Sequence, residues 1–123
     1  MKLVVAAAAS FLAAGAAAQT IASAPGGIVR ALDKVSGETV DIDISRGQAV
    51  QQWRLTIQLD ECRYMSDDPS GDAWAHLTIR DSLVPEPVFS GWMIASSPGL
   101  SAMDHRRYDV WVISCSTDAA SGE

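Results

Sequence analysis

From Ile28 to Cys115 apolar and polar side chains alternate in short runs, the period-two pattern of strands with one buried face. Ile28 to Lys34 sets Ile28, Arg30, Leu32 and Lys34 against Val29, Ala31 and Asp33. Neither side is cleanly apolar, which suits an edge strand. Thr39 to Ile44 alternates strictly, with Val40, Ile42 and Ile44 inward and Asp41 and Asp43 outward. Ser36-Gly37 between the two runs is a turn signal, so residues 28–44 are predicted to form a β-hairpin. Trp53, Leu55, Ile57 and Leu59 share one face of a third strand. Cys62 breaks that parity, and a bulge near Asp60-Glu61 would return it to the core side.

Tyr64 to Asp72 is rich in Asp, Ser, Pro and Gly and reads as a polar loop. Ala73 to Arg80 is a further strand, with Ala73, Ala75, Leu77 and Ile79 facing one way and Trp74, His76 and Thr78 the other. Two prolines make Asp81 to Pro87 looped or extended. Val88 to Ala95 is apolar and extended. Ser96 to His105 is predicted to hold one short helix, with Ser97 as its cap and Pro98 at its first position. Tyr108 to Cys115 is the last strand, with Tyr108, Val110 and Val112 on one face and Trp111, Ile113 and Cys115 on the other. The expectation is a mostly β fold, a small antiparallel sandwich or barrel of six to seven strands with one short helix.

The first eighteen residues break the pattern. Met1-Lys2 carries one positive charge, Leu3 to Ala14 is apolar apart from Ser10, and Ala16-Ala17-Ala18 offers a small-x-small cleavage site before Gln19. That is the form of a secretory signal peptide, residues 1–18, cleaved after Ala18. The run is too short and alanine-rich for a convincing membrane span, so no direct span is expected once it is removed. The division that follows is a flexible arm at 19–27, a β-rich domain at 28–116 and an acidic tail at 117–123. The expected location is the periplasm.

Composition sharpens this picture. The chain has 9 basic and 15 acidic residues, and the leader removes only Lys2, leaving 8 against 15, a net of −7. Such an acidic domain repels nucleic acid and anionic headgroups. Cys62 and Cys115 are the only cysteines. In an exported chain they are most simply a disulfide, closing a loop of about 54 residues worth about 4 kcal/mol on the chain-entropy model. They lack the close spacing of a redox pair, and neither His76 nor His105 stands at a zinc-ligand spacing from them.

The block Phe89-Ser90-Gly91-Trp92-Met93-Ile94-Ala95-Ser96-Ser97-Pro98 runs on through Met103-Asp104-His105 to Tyr108-Asp109-Val110-Trp111-Val112 and Cys115. With Ala31-Leu32-Asp33-Lys34 and Cys62-Arg63-Tyr64, it resembles an alphaproteobacterial exported family, domain of unknown function 2155. The resemblance covers about residues 28–116. It implies a periplasmic protein with two matched cysteines and brings no catalytic residues. Through genomic association it also implies an accessory subunit of the respiratory NADH–quinone oxidoreductase, a membrane complex.

Candidate chemistry is sparse. Asp67-Asp68-Pro69-Ser70-Gly71-Asp72 does not fit the calcium-loop spacing and reads as a solvated turn. Ser96, Ser97, His105 and Asp104 or Asp109 have the residue types of an acyl-transfer triad, but no nucleophile elbow, and Asp104 adjoins His105 in sequence. The competing reading sets Ser97 as a helix cap and His105 at the helix end. Of four tryptophans, Trp53 and Trp111 lie on apolar strand faces and read as core. Trp74 shares a polar face, and Trp92 is either core or contact surface. Arg106-Arg107 is a basic spot suited to docking or to pairing with nearby Asp. No enzyme activity, cofactor or metal is expected. The expected function is a protein-interaction module whose contact residues are Phe89, Trp92, Met93, Leu100, Met103, Arg106, Arg107 and Trp74. The alternative is a glycan or cell-wall binding module using Trp74 and Trp92.

Overall fold

The computed structural model describes residues 20–117. The expected signal peptide, and the expected acidic tail beyond Thr117, lie outside the described residues. Among the described residues eight strands follow in order: β1 (Ile21–Ser23), β2 (Gly26–Asp33), β3 (Thr39–Ser45), β4 (Ala49–Gln52), β5 (Leu55–Met65), β6 (Asp68–Asp81), β7 (Phe89–Ile94) and β8 (Tyr108–Ser116). All pairings are antiparallel. One sheet has five strands, ordered β1-β5-β6-β7 with β4 also on β5. The other has three, ordered β3-β2-β8. The strands form two sheets and no closed barrel.

The alternating side chains decide what lies between the sheets. Leu55, Ile57, Leu59, Ala75, Leu77 and Ile79 from the larger sheet meet Val29, Ala31, Ile44, Val110 and Val112 from the smaller in one buried cluster. A fully buried aliphatic side chain contributes roughly 1.5–3 kcal/mol. The disulfide joins the sheets through that core, with Cys62 of β5 and Cys115 of β8 both buried and their Cα atoms 5.7 Å apart.

The 28–44 hairpin forms, from Leu32 opposite Thr39 to Ile28 opposite Asp43. However, β2 is the centre of its sheet and not an edge, because β8 pairs along its other side. Asp60 is the extra residue of a bulge in β5, and Cys62 turns inward as its parity demanded. A second bulge was not foreseen. Ile113 has no partner on β2, so Cys115 falls on the core face with Val112, not with Trp111.

Four other expectations are corrected. Residues 21–27 are not a flexible arm: Ile21 to Ser23 pair with Met65 to Arg63, and the buried Ala24 donates its N–H to the Cys62 carbonyl. The Gly26-Gly27 pair serves close approach. A Cβ on Gly26 would lie 2.7 Å from the Ile44 carbonyl oxygen, and one on Gly27 3.1 Å from the Cys62 sulfur. Residues 64–72 are not a loop, because β5 and β6 continue into a tight turn at Ser66-Asp67. No helix forms at 96–105. The Ser97 N–H reaches Ile94 and the Leu100 N–H reaches Ser97, giving two successive turns, after which Met103 is drawn into the core.

Trp53 is the fourth correction. It sits in the two-residue turn between β4 and β5 at φ 54°, a left-handed conformation unusual for a bulky residue. Its ring stacks on Tyr108, with centroids 5.3 Å apart and planes 6° apart. That stacking favours a geometry the backbone alone disfavours.

Candidate binding groove

The outer face of the larger sheet carries the molecule's aromatic surface. In β6 the inward set is Ala73, Ala75, Leu77 and Ile79, which leaves Trp74, His76 and Thr78 facing out. In β7 the buried Met93 turns Trp92 to the same open face, where it is 39% exposed. Beyond the Asp60 bulge, β5 presents Arg63 outward beside Trp74, its partner in the ladder. Ile21 of β1 closes the far side. These four residues line a shallow groove of about 220 Å³.

The groove is held from below by polar bonds. The Arg63 guanidinium lies over the Trp92 ring, 4.9 Å from its centroid. The His76 ring meets Trp92 edge-on at 5.3 Å. His76 Nδ1 donates to Asp60 Oδ2 at 2.7 Å, Thr78 Oγ1 donates to the same oxygen at 2.7 Å, and Gln58 Nε2 donates to Oδ1 at 2.8 Å. Burial works against the Asp60 charge, but the bonds from Thr78, His76 and Gln58 outweigh it and hold the carboxyl below its ordinary range. An ionised Asp60 fixes the His76 proton on Nδ1 and so sets the ring against the indole. Arg63 has no ion pair among the described residues. The groove therefore offers apolar ring surface and one uncommitted cation.

A second charged cluster lies at one end of the two sheets. Buried Asp81 accepts from the Leu83 N–H, from His105 Nε2 at 2.9 Å and from Arg54 Nη2 at 3.1 Å. These bonds lower its carboxyl to about 2. Arg107 pairs with the buried Asp33 at 3.2 Å. The bond from Arg107 lowers the Asp33 carboxyl, against burial and with help from the Val35 and Ser36 amides. Tyr108 lies beneath the Arg54 and Arg107 guanidinium groups, each 5.3 Å from its ring. His105 Nδ1 accepts the Arg107 and Tyr108 N–H groups, so its proton sits on Nε2 toward Asp81. Both ring nitrogens are thus committed. Ser96 donates its hydroxyl to Asp72, and neither Ser96 nor Ser97 joins His105. The triad reading loses its geometry.

The expected contact residues are dispersed. Trp74 and Trp92 come together in the groove. Met93 and Met103 are buried, 1% and 5% exposed, and are core residues with no surface to offer. Phe89 is half-buried against the core. Arg107 is held by Asp33, while Arg106 is exposed. Leu100 is exposed beside a separate hollow lined by Pro98, Gly99, Ala102, Asp109 and Trp111. Trp111 is partly buried on the outer face of the smaller sheet, not in the core proper. Ile21 and Arg63 were missed. The signal for Arg63 was present, because a bulge that turns Cys62 inward turns its neighbour outward.

Residues 27–115, from β2 to β8, fit the model of an uncharacterized protein family conserved in bacteria, DUF2155. The chain belongs to that family. An uncharacterized protein of Rickettsia prowazekii (strain Madrid E) is 27% identical over 92 residues, which cover 72% of this chain and 59% of the relative. The chain thus spans less than two thirds of that relative's length. No solved structure matches the chain. The DUF2155 match runs through both cysteines, Arg63, Trp74 and Trp92, and leaves Ile21 outside. Among the described residues no group of three or more His, Cys, Asp or Glu side chains is placed to hold a metal, and no helix is long and apolar enough to cross a membrane.

Proposed function

We propose that this DUF2155 chain is a non-catalytic, extracytoplasmic binding module that holds a protein partner in the Arg63–Trp74–Trp92 groove. The observation that carries the reading is a guanidinium without an ion pair among the described residues, stacked on a part-exposed indole on the open sheet face. Arg and Trp are the residue types that dominate binding energy at protein interfaces. The buried disulfide suits an oxidising compartment. The commitment of both His105 nitrogens supports a role without catalysis. The family resemblance extends the proposal to the periplasmic side of the respiratory NADH–quinone oxidoreductase. The test is affinity purification from detergent-solubilised membranes with wild type and a Trp92→Ala variant. A stoichiometric partner retained by wild type and lost with Trp92→Ala is expected, and equal recovery on both would refute the groove.

A glycan-binding reading is favoured by one specific feature. Trp74 and Trp92 both adjoin His76, one along β6 and one across the ladder, with Thr78 and Asp60 beyond it, so polar side chains stand beside the indoles as a stacked sugar ring would need. Co-sedimentation with purified peptidoglycan, abolished by Trp74→Ala, would decide for it over a protein partner.

A further inference from the structure

The strand edges of the two sheets differ in how they are protected. The ladder between β2 and β8 turns Asp109 and Trp111 toward β2, leaving the backbone of Tyr108, Val110 and Val112 directed outward. There the Tyr108 N–H donates to His105 Nδ1 and the Val110 N–H to the Asp109 carboxylate, so side chains already occupy two outward amides. β3 carries Asp41 and Asp43 along its edge. β1 and β4 are three and four residues long. Charge, self-capping and shortness all discourage strand addition.

β7 has none of these devices. The Ala95 N–H donates to the Ala73 carbonyl, which sets the phase of the β6–β7 ladder. Gly91 and Met93 bond toward β6, and Ser90 and Trp92 turn their N–H and C=O groups outward. No backbone bond from another described residue meets them. The strand Phe-Ser-Gly-Trp-Met-Ile has no proline, no charge and no bulge. Its outward residues include the indole of the groove.

We propose that β7 is a strand-addition site, where an extended acidic and apolar segment of a protein partner pairs with Ser90 and Trp92. This rests on the protein-partner reading above and adds how the partner is held. Period two fixes the side-chain pattern. The incoming residue beside Trp92 on the open face is apolar and lies on the indole. A neighbour on that face carries a carboxylate to Arg63, which lacks one among the described residues. A second copy of this chain fits less well, since pairing two β7 strands would bring two Arg63 groups to one surface.

The test selects short linear peptides from a random displayed library against the full chain with its disulfide formed. Wild type, Ser90→Pro and Arg63→Glu are compared. Proline at 90 removes an outward N–H and leaves the ladder to β6 intact. Enriched peptides with alternating apolar positions and a carboxylate are expected, with Ser90→Pro weakening them about tenfold or more, an effect carried by dissociation. Arg63→Glu is expected to turn the selection toward basic peptides. Hydrogen exchange by NMR on wild type supplies a readout that does not depend on any variant folding. On peptide binding the Ser90 and Trp92 amides are expected to slow about tenfold or more, as paired amides do. Unslowed amides, or peptides indifferent to Ser90→Pro, would overturn strand addition. If those peptides are still lost with Trp92→Ala, the groove stands and only the strand pairing fails. A dimer by sedimentation that Ser90→Pro dissolves would overturn the proposal in favour of a second copy.

Discussion

Asp81→Asn is the sharpest probe of the charged cluster. The Asp81 carboxylate takes three bonds, from the Leu83 N–H, His105 Nε2 and Arg54 Nη2, and is 3% exposed. Its carboxyl falls from 3.8 to about 2 in the folded chain. At about 1.4 kcal/mol for each such unit, that gap stabilises the fold by about 2 kcal/mol at neutral pH. Asparagine keeps an oxygen for Leu83 but turns an NH₂ toward His105 and Arg54. His105 cannot respond by changing tautomer, because its Nδ1 accepts two backbone amides. The unmatched donors add about 1 kcal/mol. The expected loss is therefore about 3 kcal/mol, and each kcal/mol lowers the melting temperature of a domain this size by about 4–8 °C. A carboxyl depressed by folding stabilises above its unfolded pKa and loses that effect as pH falls through its folded one. The gap between wild type and variant should be full near neutrality and shrink from about pH 4 to about pH 2. Urea denaturation at several pH values measures it. A gap below about 0.5 kcal/mol at pH 7, the usual scatter for inert surface changes, would refute the argument. So would a gap that does not narrow in acid.

Gly26→Ala should cost about 1–3 kcal/mol by denaturant midpoint, since its Cβ would meet the Ile44 carbonyl oxygen at 2.7 Å. Replacing Cys62 and Cys115 together by Ala should cost about 4 kcal/mol for the loop they close; an unchanged urea midpoint would contradict it. Asp60→Ala should free the His76 ring and leave three donors unmatched, with a cost of about 1–3 kcal/mol and broadened His76 ring signals by NMR.

Sequence periodicity was a good guide wherever one strand face is buried and the other wet. It placed the β2–β3 hairpin, the inward sets of β5 and β6, and the Asp60 bulge. It failed where a local conflict is settled by distant contacts. Trp53 continues the apolar face of β5 in sequence, yet stacking on Tyr108 holds it in a turn. Ser97-Pro98 has the chemistry of a helix start, but Asp72 binds the Ser96 amide and hydroxyl from another strand. Met93 and Met103 have interface chemistry and core positions, a distinction composition does not carry. For the groove, Trp74 is legible as an outward aromatic on a polar face, whereas the Gly-Trp-Met-Ile run leaves Trp92 open between core and contact surface. Their meeting across β6 and β7 depended on register, and the place of Ile21 depended on a strand hidden in small residues. Asp33 and Asp81 could have been suspected, since each ends an otherwise apolar inward set.

Each cysteine follows a bulge, Asp60 in β5 and Ile113 in β8. Strand pairing reads side chains in a frame of two, and each bulge is a one-residue frameshift. Without the first, Cys62 would face water; without the second, Cys115 would. The two thiols meet only when both shifts have occurred in their proper places. Oxidation therefore works as a parity check on the folding chain, sealing the one alignment in which both strands have slipped correctly. The same shift that passes the check also delivers Arg63 to the open face. Were Asp60 instead paired in regular alternation, with no bulge, the molecule would lose its staple and its binding cation in a single step.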